Sequence, residues 1–178
     1  INRVLNGFFG EGGDAARAHF GVLYAGTSPD FCRFHGLPTG GKAAVDSLLS
    51  GVASPIDICE IRYHQADGRA AISRLACSTN VGLGPRIARR ANSIRMYIGD
   101  LPGTLLATVI SVMEGRTFVA DLVLDGVTLR LEKVWNLSAG KNPFLASGLK
   151  LGLDVTPADG RLFVFGLSGI GRGGFMAL

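Results

Sequence analysis

Apolar positions at Ile1, Val4, Leu5, Phe8 and Phe9 recur at three- and four-residue spacing, so the chain opens inside an amphipathic helix. A glycine-rich turn at 10–14 and a short helical piece near 15–18 lead into the apolar run 21–25, which reads as a short buried strand. Gly26 and Thr27 turn the chain into Ser28-Pro29-Asp30, a helix start in which each residue suits its place. A serine accepts from the first free amides, proline loses nothing at the first helical position, and aspartate complements the positive end of the helix dipole. Residues 40–50 form the next expected helix, with Ala44, Leu48 and Leu49 on one face and Gly51 as its stop.

From residue 56 onward the period changes to two. Residues 56–64 and 70–78 read as strands around the turn pair Asp67-Gly68, with a bulge expected near Cys59 because the apolar phase shifts there. Helical stretches are predicted at 85–93 and 104–113. A second hairpin joins 118–124 to 127–135 through Asp125-Gly126, and the last strands fall near 149–153 and 162–167. An α/β opening followed by hairpins predicts a remnant of a Rossmann-like domain over residues 1–53. A β-sandwich-like domain follows over 54–178, with 52–55 as the crossing point.

Composition narrows the class. The 178 residues are 47% hydrophobic and 18% charged, which describes a chain that builds a core. Its 26 glycines, without a period, favour many turns and a β-rich body. A net charge of +4 suits a phosphate-bearing ligand or an anionic membrane surface. It does not make a nucleic-acid surface: Arg86, Arg89, Arg90 and Arg95 cluster with no interleaved aromatic residue before Tyr97, so they read as a solvated helix face. Cys32, Cys59 and Cys77 are scattered among apolar residues and read as free buried thiols of a reducing, cytoplasmic compartment. His19, His35 and His64 are as scattered, so neither a zinc site nor a Cys-His nucleophile is assigned. The longest apolar segment, 101–113, is too short to span a bilayer, leaving peripheral membrane contact as the expected mode.

Two segments carry candidate chemistry. A helix N-terminus fed by Gly26-Thr27 is a natural anion site. Pro157-Ala158-Asp159-Gly160 is an ideal β-turn that presents one carboxylate.

Gly26-Thr27-Ser28-Pro29-Asp30-Phe31 followed by Gly36-Leu37-Pro38 resembles the Gly-Thr-x-Asn-Asp-Phe-Ala…Gly-Leu/Ile-Pro signature of the diacylglycerol kinase catalytic family, the bacterial lipid kinases related to sphingosine kinases. Ile1-Asn2-Arg3-Val4 resembles the start of the helix that follows that family's Gly-Gly-Asp-Gly-Thr loop. The stretches 80–90 and 97–103 resemble its Ser-x-Gly-x-x-Ala…Arg/Lys and following helix start. Residues 142–162 resemble its Asn…Gly-Gly-Gly…Pro-x-Ala…Asp-Gly-x-Leu motif, with Asp159-Gly160 intact. The order of these matches spans nearly the whole chain.

The resemblance implies a fold of the NAD kinase/diacylglycerol kinase type, ATP and Mg2+ as cofactors, and phosphorylation of a lipid hydroxyl, diacylglycerol-like or sphingoid. It implies nucleotide contacts at Asn2, Gly26 and Thr27, a catalytic-cleft position for Asp30, and a structural Mg2+ held by Thr156, Asp159 and Arg161. It also implies a Gly-Gly-Asp-Gly-Thr loop before Ile1 and an Asp-Gly-Glu motif after Leu178, so that this stretch alone would be inactive. Homodimerisation is compatible with it; nucleic acid is not an expected partner. Leu153 and Val155 stand where the family has proline and alanine, and the departures at Arg3, Pro29 and Leu153 keep open a degenerate lipid- or protein-binding module of the same fold. A NAD kinase relative is the more distant alternative.

Overall fold

A computed structural model describes residues 1–10, 19–25, 29–145 and 149–176. The chain divides into two compact units: residues 1–79 with 140–163, and residues 80–139 with 164–178. Helix and strand content is mixed, as the sequence predicts.

The first unit carries α1 (Asn2–Phe8), α2 (Asp30–Phe34), α3 (Gly41–Ser50), β1 (Cys59–His64) and β2 (Ala70–Leu75). Two short strands, β6 (Phe144–Leu145) and β7 (Leu149–Lys150), also belong to it. Its core gathers Leu5, Phe31, Cys32 and Ala76, with Val22, Tyr24, Leu37, Ile56 and Ile58 packed against them. Burial of such side chains, at about 25 cal/mol per Å² of apolar surface, is what holds these short elements together.

Residues 21–25 keep the alternation expected of a strand, Val22 and Tyr24 inward and Leu23 half exposed, yet they form no ladder. No described strand lies alongside to accept their backbone hydrogen bonds. Helix α3 ends at Gly51 as predicted, but its Val45, Leu48 and Leu49 face outward in this chain.

Strands β1 and β2 pair antiparallel in an unbroken register from Cys59↔Leu75 to His64↔Ala70. The bulge expected at Cys59 is therefore absent: the phase shift in the sequence arises because the strand begins at Cys59 and Ile56 and Ile58 pack ahead of it as loop. The Asn6 side chain fastens α1 to β2, accepting from the Arg74 backbone N–H at 2.7 Å and donating to its carbonyl at 2.6 Å.

The second unit is built on β3 (Ser78–Gly82), β4 (Phe118–Leu124), β5 (Val127–Gly140) and β8 (Phe163–Ser168), ordered β3-β5-β4 with β8 also pairing β5; Ser78, Thr79, Gly140 and Phe163 at the ends of these strands belong to the first unit. Asp125 (φ 49°) and Gly126 (φ 83°) make the predicted two-residue hairpin turn, and Leu124 pairs with Val127. Helices α4 (Leu83–Ile98) and α5 (Asp100–Glu114) pack on each other, and α6 (Arg172–Met176) closes the chain. Leu83, Val112 and Trp135 form this unit's core, with Ile87 and Leu167 against it.

Both long helices start earlier than the breakers in the sequence suggest. Pro85 and Pro102 each occupy the third helical position, where the missing N–H would have had no intrahelical partner. Gly103 sits at the seam between the helices, where an added Cβ would lie 2.9 Å from the Arg95 Cα. Before α4, Gly82 holds φ +104° and a Cβ there would lie 2.4 Å from the Trp135 carbonyl oxygen, so no other residue fits.

Candidate functional site

The sequence singles out two places. At the first, Asn2 opens α1 and Asp30 opens α2, both half buried, on helices whose Leu5, Phe31 and Cys32 share one core. Asp30 stands in the first helical turn, as its charge and the dipole require. Asn2 Oδ1 is buried and accepts no hydrogen bond from any described residue. His35, at the end of α2, packs on Phe31 with ring centroids 4.2 Å apart, and burial lowers its pKa. Gly26 and Thr27, the other two expected nucleotide contacts, lie outside the described residues.

At the second place Thr156, Asp159 and Arg161 are brought together by one carboxylate. Asp159 Oδ2 accepts the Thr156 backbone N–H at 2.7 Å and the Arg161 guanidinium at 3.3 Å. Its Oδ1 accepts the Arg161 backbone N–H at 2.9 Å and the Lys141 ammonium. Lys141 is fully buried; its Nζ also contacts Asp57 Oδ2 at 2.5 Å and donates to the Arg161 carbonyl at 2.9 Å. Asp57 Oδ2 in turn accepts the Gly160 N–H at 2.7 Å, and the Asp57 N–H donates to the Pro157 carbonyl at 2.8 Å.

These contacts set the protonation states. The hydrogen bonds from Lys141, Thr156 and Arg161 hold the Asp159 carboxyl far below the usual carboxylate range. The hydrogen bonds from Lys141 and Gly160 lower the Asp57 pKa as well. Burial alone would lower the Lys141 pKa, but its hydrogen bonds to Asp159 and Asp57, with their charges, outweigh that and raise it. The lysine is a cation and both aspartates are anions throughout the physiological range.

Thr156 turns its N–H, not its carbonyl, toward Asp159, and the Arg161 carbonyl and both Asp159 oxygens already accept donors. No group of three or more His, Cys, Asp or Glu side chains suited to a metal occurs among the described residues. The cluster as formed fits an ammonium and not a divalent ion.

Sequence reasoning missed Lys141 and Asp57. A signal existed: Lys141 is the lone charge in the run from Leu137 to Gly152 apart from Lys150, which is a costly residue to bury without partners.

In the second unit Asn80, Asn136 and Ser138 make a polar network. Asn136 Oδ1 accepts the Gly84 N–H at 2.8 Å at the start of α4, and the Ser138 hydroxyl donates to Asn80 Oδ1 at 2.5 Å. Of the arginine cluster, Arg86 and Arg89 are exposed, while Arg90 pairs with Glu114 at 2.7 Å. A cleft of about 430 Å³ is lined by Arg116, Lys133 and Arg172 around Trp135. All three cysteines are free thiols, and burial pushes the pKa of each up.

No family model and no curated protein matches the sequence. Solved structures do match the fold. A diacylglycerol kinase of Bacillus anthracis str. Sterne superposes with a TM-score of 0.55 at 19% identity, over 90% of this chain and 49% of that one. Two candidate diacylglycerol kinases of the same organism match with TM-scores of 0.56 and 0.58 at 17% and 20% identity. Each covers 90% of this chain, which in turn spans 49% and 51% of theirs, so the chain is about half the length of the structures it matches. The order of strands and helices described above is therefore a fold this chain shares with diacylglycerol kinase structures.

Proposed function

We propose that the chain is part of an ATP-dependent lipid kinase that passes a γ-phosphoryl group to the hydroxyl of a diacylglycerol-like or sphingoid lipid. One observation carries the reading: the fold likeness extends over 90% of the chain, and the motif-bearing segments run along it in the family's order. On this reading residues 1–53 complete a Rossmann-like nucleotide-binding domain, and residues 54–178 belong to a second domain of the NAD kinase/diacylglycerol kinase type.

Phosphoryl transfer asks a protein for positioning and charge neutralisation more than for covalent chemistry. Gly26 and Thr27 are assigned to the nucleotide. Asn2 joins them because its buried Oδ1 lacks a donor among the described residues, and a nucleotide hydroxyl or amino group would supply one. Asp30 is assigned to the cleft beside them. The net charge of +4 supports peripheral contact with an anionic membrane, and no helix among the described residues is long and apolar enough to cross a bilayer.

The test is an assay of the protein in its full natural length with γ-labelled ATP and mixed micelles of diacylglycerol, sphingosine or ceramide. A labelled lipid phosphate from one of them is the expected product. No labelled lipid from any of the three overturns the reading. That failure would favour a lipid-binding module without turnover, a second reading motivated by Pro29 in place of the family's asparagine.

A further inference from the structure

We infer that the turn built on Asp159 is held by the chain's own cation: the Lys141 ammonium fills a cradle made by Asp57, Asp159 and the Arg161 carbonyl, and this turn folds without a divalent ion.

The hydrogen-bond count is complete. An ammonium has three donors and no acceptor. Lys141 directs them to Asp159 Oδ1, Asp57 Oδ2 and the Arg161 carbonyl oxygen, all within the first unit. Each of the two Asp159 oxygens has a second donor, from the Arg161 and Thr156 backbone N–H groups, and Asp57 Oδ2 has one from Gly160.

The charges also favour the lysine. The Asp57 and Asp159 carboxylates face the Lys141 ammonium and the Arg161 guanidinium, which lies 3.3 Å from Asp159 Oδ2 and 3.8 Å from the exposed Asp154 carboxylate. A divalent ion entering here would leave a surplus of positive charge unless the lysine withdrew. Withdrawal is opposed by position. Lys141 is fully buried, and its backbone N–H donates to the Cys77 carbonyl at 2.9 Å, fixing the base of the side chain.

The cradle is nonetheless made of the hard oxygen atoms that divalent ions prefer. Removing the ammonium alone leaves two carboxylates and a carbonyl converging on an empty position. Lys141→Ala therefore converts an internally neutralised turn into a divalent-cation site.

The experiment uses the protein in its full natural length, without nucleotide, and reads the thermal midpoint and Mn2+ binding by electron paramagnetic resonance. Wild type is expected to keep its midpoint to within about 1 °C between EDTA and millimolar Mg2+. Lys141→Ala is expected to melt lower than wild type in EDTA and to regain about 3–5 °C in Mg2+ at roughly ten times its dissociation constant. The double variant Lys141→Ala/Asp57→Asn should lose that response.

A wild-type midpoint that rises with Mg2+ and falls with EDTA overturns the inference, as does one Mn2+ per wild-type chain whose binding Asp57→Asn abolishes. A folded Lys141→Ala that ignores Mg2+ overturns it too. Should Lys141→Ala fail to fold, the wild-type measurements decide. None of these readouts depends on lipid phosphorylation, so the outcome stands apart from that of the kinase assay.

Discussion

The side-chain amide of Asn6 pairs with the backbone of Arg74 as a strand would, accepting its N–H at 2.7 Å and donating to its carbonyl at 2.6 Å. A helical residue thus supplies the neighbour that the outer edge of β2 lacks, and Asn6 also donates to the Asn2 carbonyl one turn back. Asn6→Ala removes both bonds to Arg74 and leaves part-buried backbone groups unpaired. A loss of about 1–3 kcal/mol is expected in urea unfolding, with m unchanged. A change below the error of that measurement would show that α1 is held by its apolar face alone.

Leu5 and Val4 are neighbours on the same helix, 1% and 65% exposed. Leu5→Ala is expected to cost about 2–5 kcal/mol, because Leu5 sits in the cluster with Phe31, Cys32 and Ala76. Val4→Ala is expected to stay within about 0.5 kcal/mol. Equal effects in denaturant titration would contradict the placement of α1.

Gly82→Ala meets two obstacles at once, a φ of +104° and the Trp135 carbonyl oxygen 2.4 Å from the new Cβ. A cost of about 1–3 kcal/mol from the backbone conformation alone is expected. Gly152→Ala, where nothing lies within 4 Å of the added Cβ, serves as the control and should be near neutral in the same thermal melt.

Acid stability follows from Asp57 and Asp159, whose folded pKa values lie below their ordinary ones. Their contribution is fully present above the ordinary carboxylate value near 4. It is lost progressively as the pH falls below that value toward the folded ones. Lys141 acts at the other end: its folded pKa is raised, so its contribution is complete below the ordinary value of 10.5 and fades as the pH climbs through the higher folded value. Facing the cluster are Arg161, whose guanidinium also lies 3.8 Å from Asp154, and the buried Cys59 thiol. Melting midpoints from pH 2 to 7 should fall less steeply below about pH 4 in Asp159→Asn than in wild type. Parallel curves would remove Asp159 from the account.

Much of this fold was legible because its signals are local. Asp125-Gly126 between two alternating runs specified a hairpin, and its turn has the positive φ values that Asp-Gly tolerates. Gly51 ended α3, and Asp30 lay in the first turn of α2. Proline is a poor boundary marker for the helix starts, since Pro85 and Pro102 sit inside the first turns of α4 and α5. The strand expected at 21–25 failed for a non-local reason: an apolar run marks a segment for burial and says nothing about whether another strand lies beside it. The same holds for the candidate site. Asp159, Thr156 and Arg161 lie close together in the sequence, within the stretch 142–162 that resembles the family motif. Asp57 and Lys141 come from distant parts of the chain, and only folding brings them to one ammonium.

The seam between α4 and α5 bears on how this sequence can drift. Gly103 lies against the backbone of Arg95, and Ala91 and Ala107 are buried on the two helices with 3% and 0% exposure. Where backbone meets backbone there is no side chain to re-choose its rotamer, so any added methyl group must be absorbed by moving a helix axis. Substitutions tolerated across the exposed faces of Arg86, Arg89 and Met96 have no counterpart here. In related chains that keep this spacing of the two helices, position 103 should stay glycine and the buried positions 91 and 107 should stay small, whatever happens to the arginines on the outside.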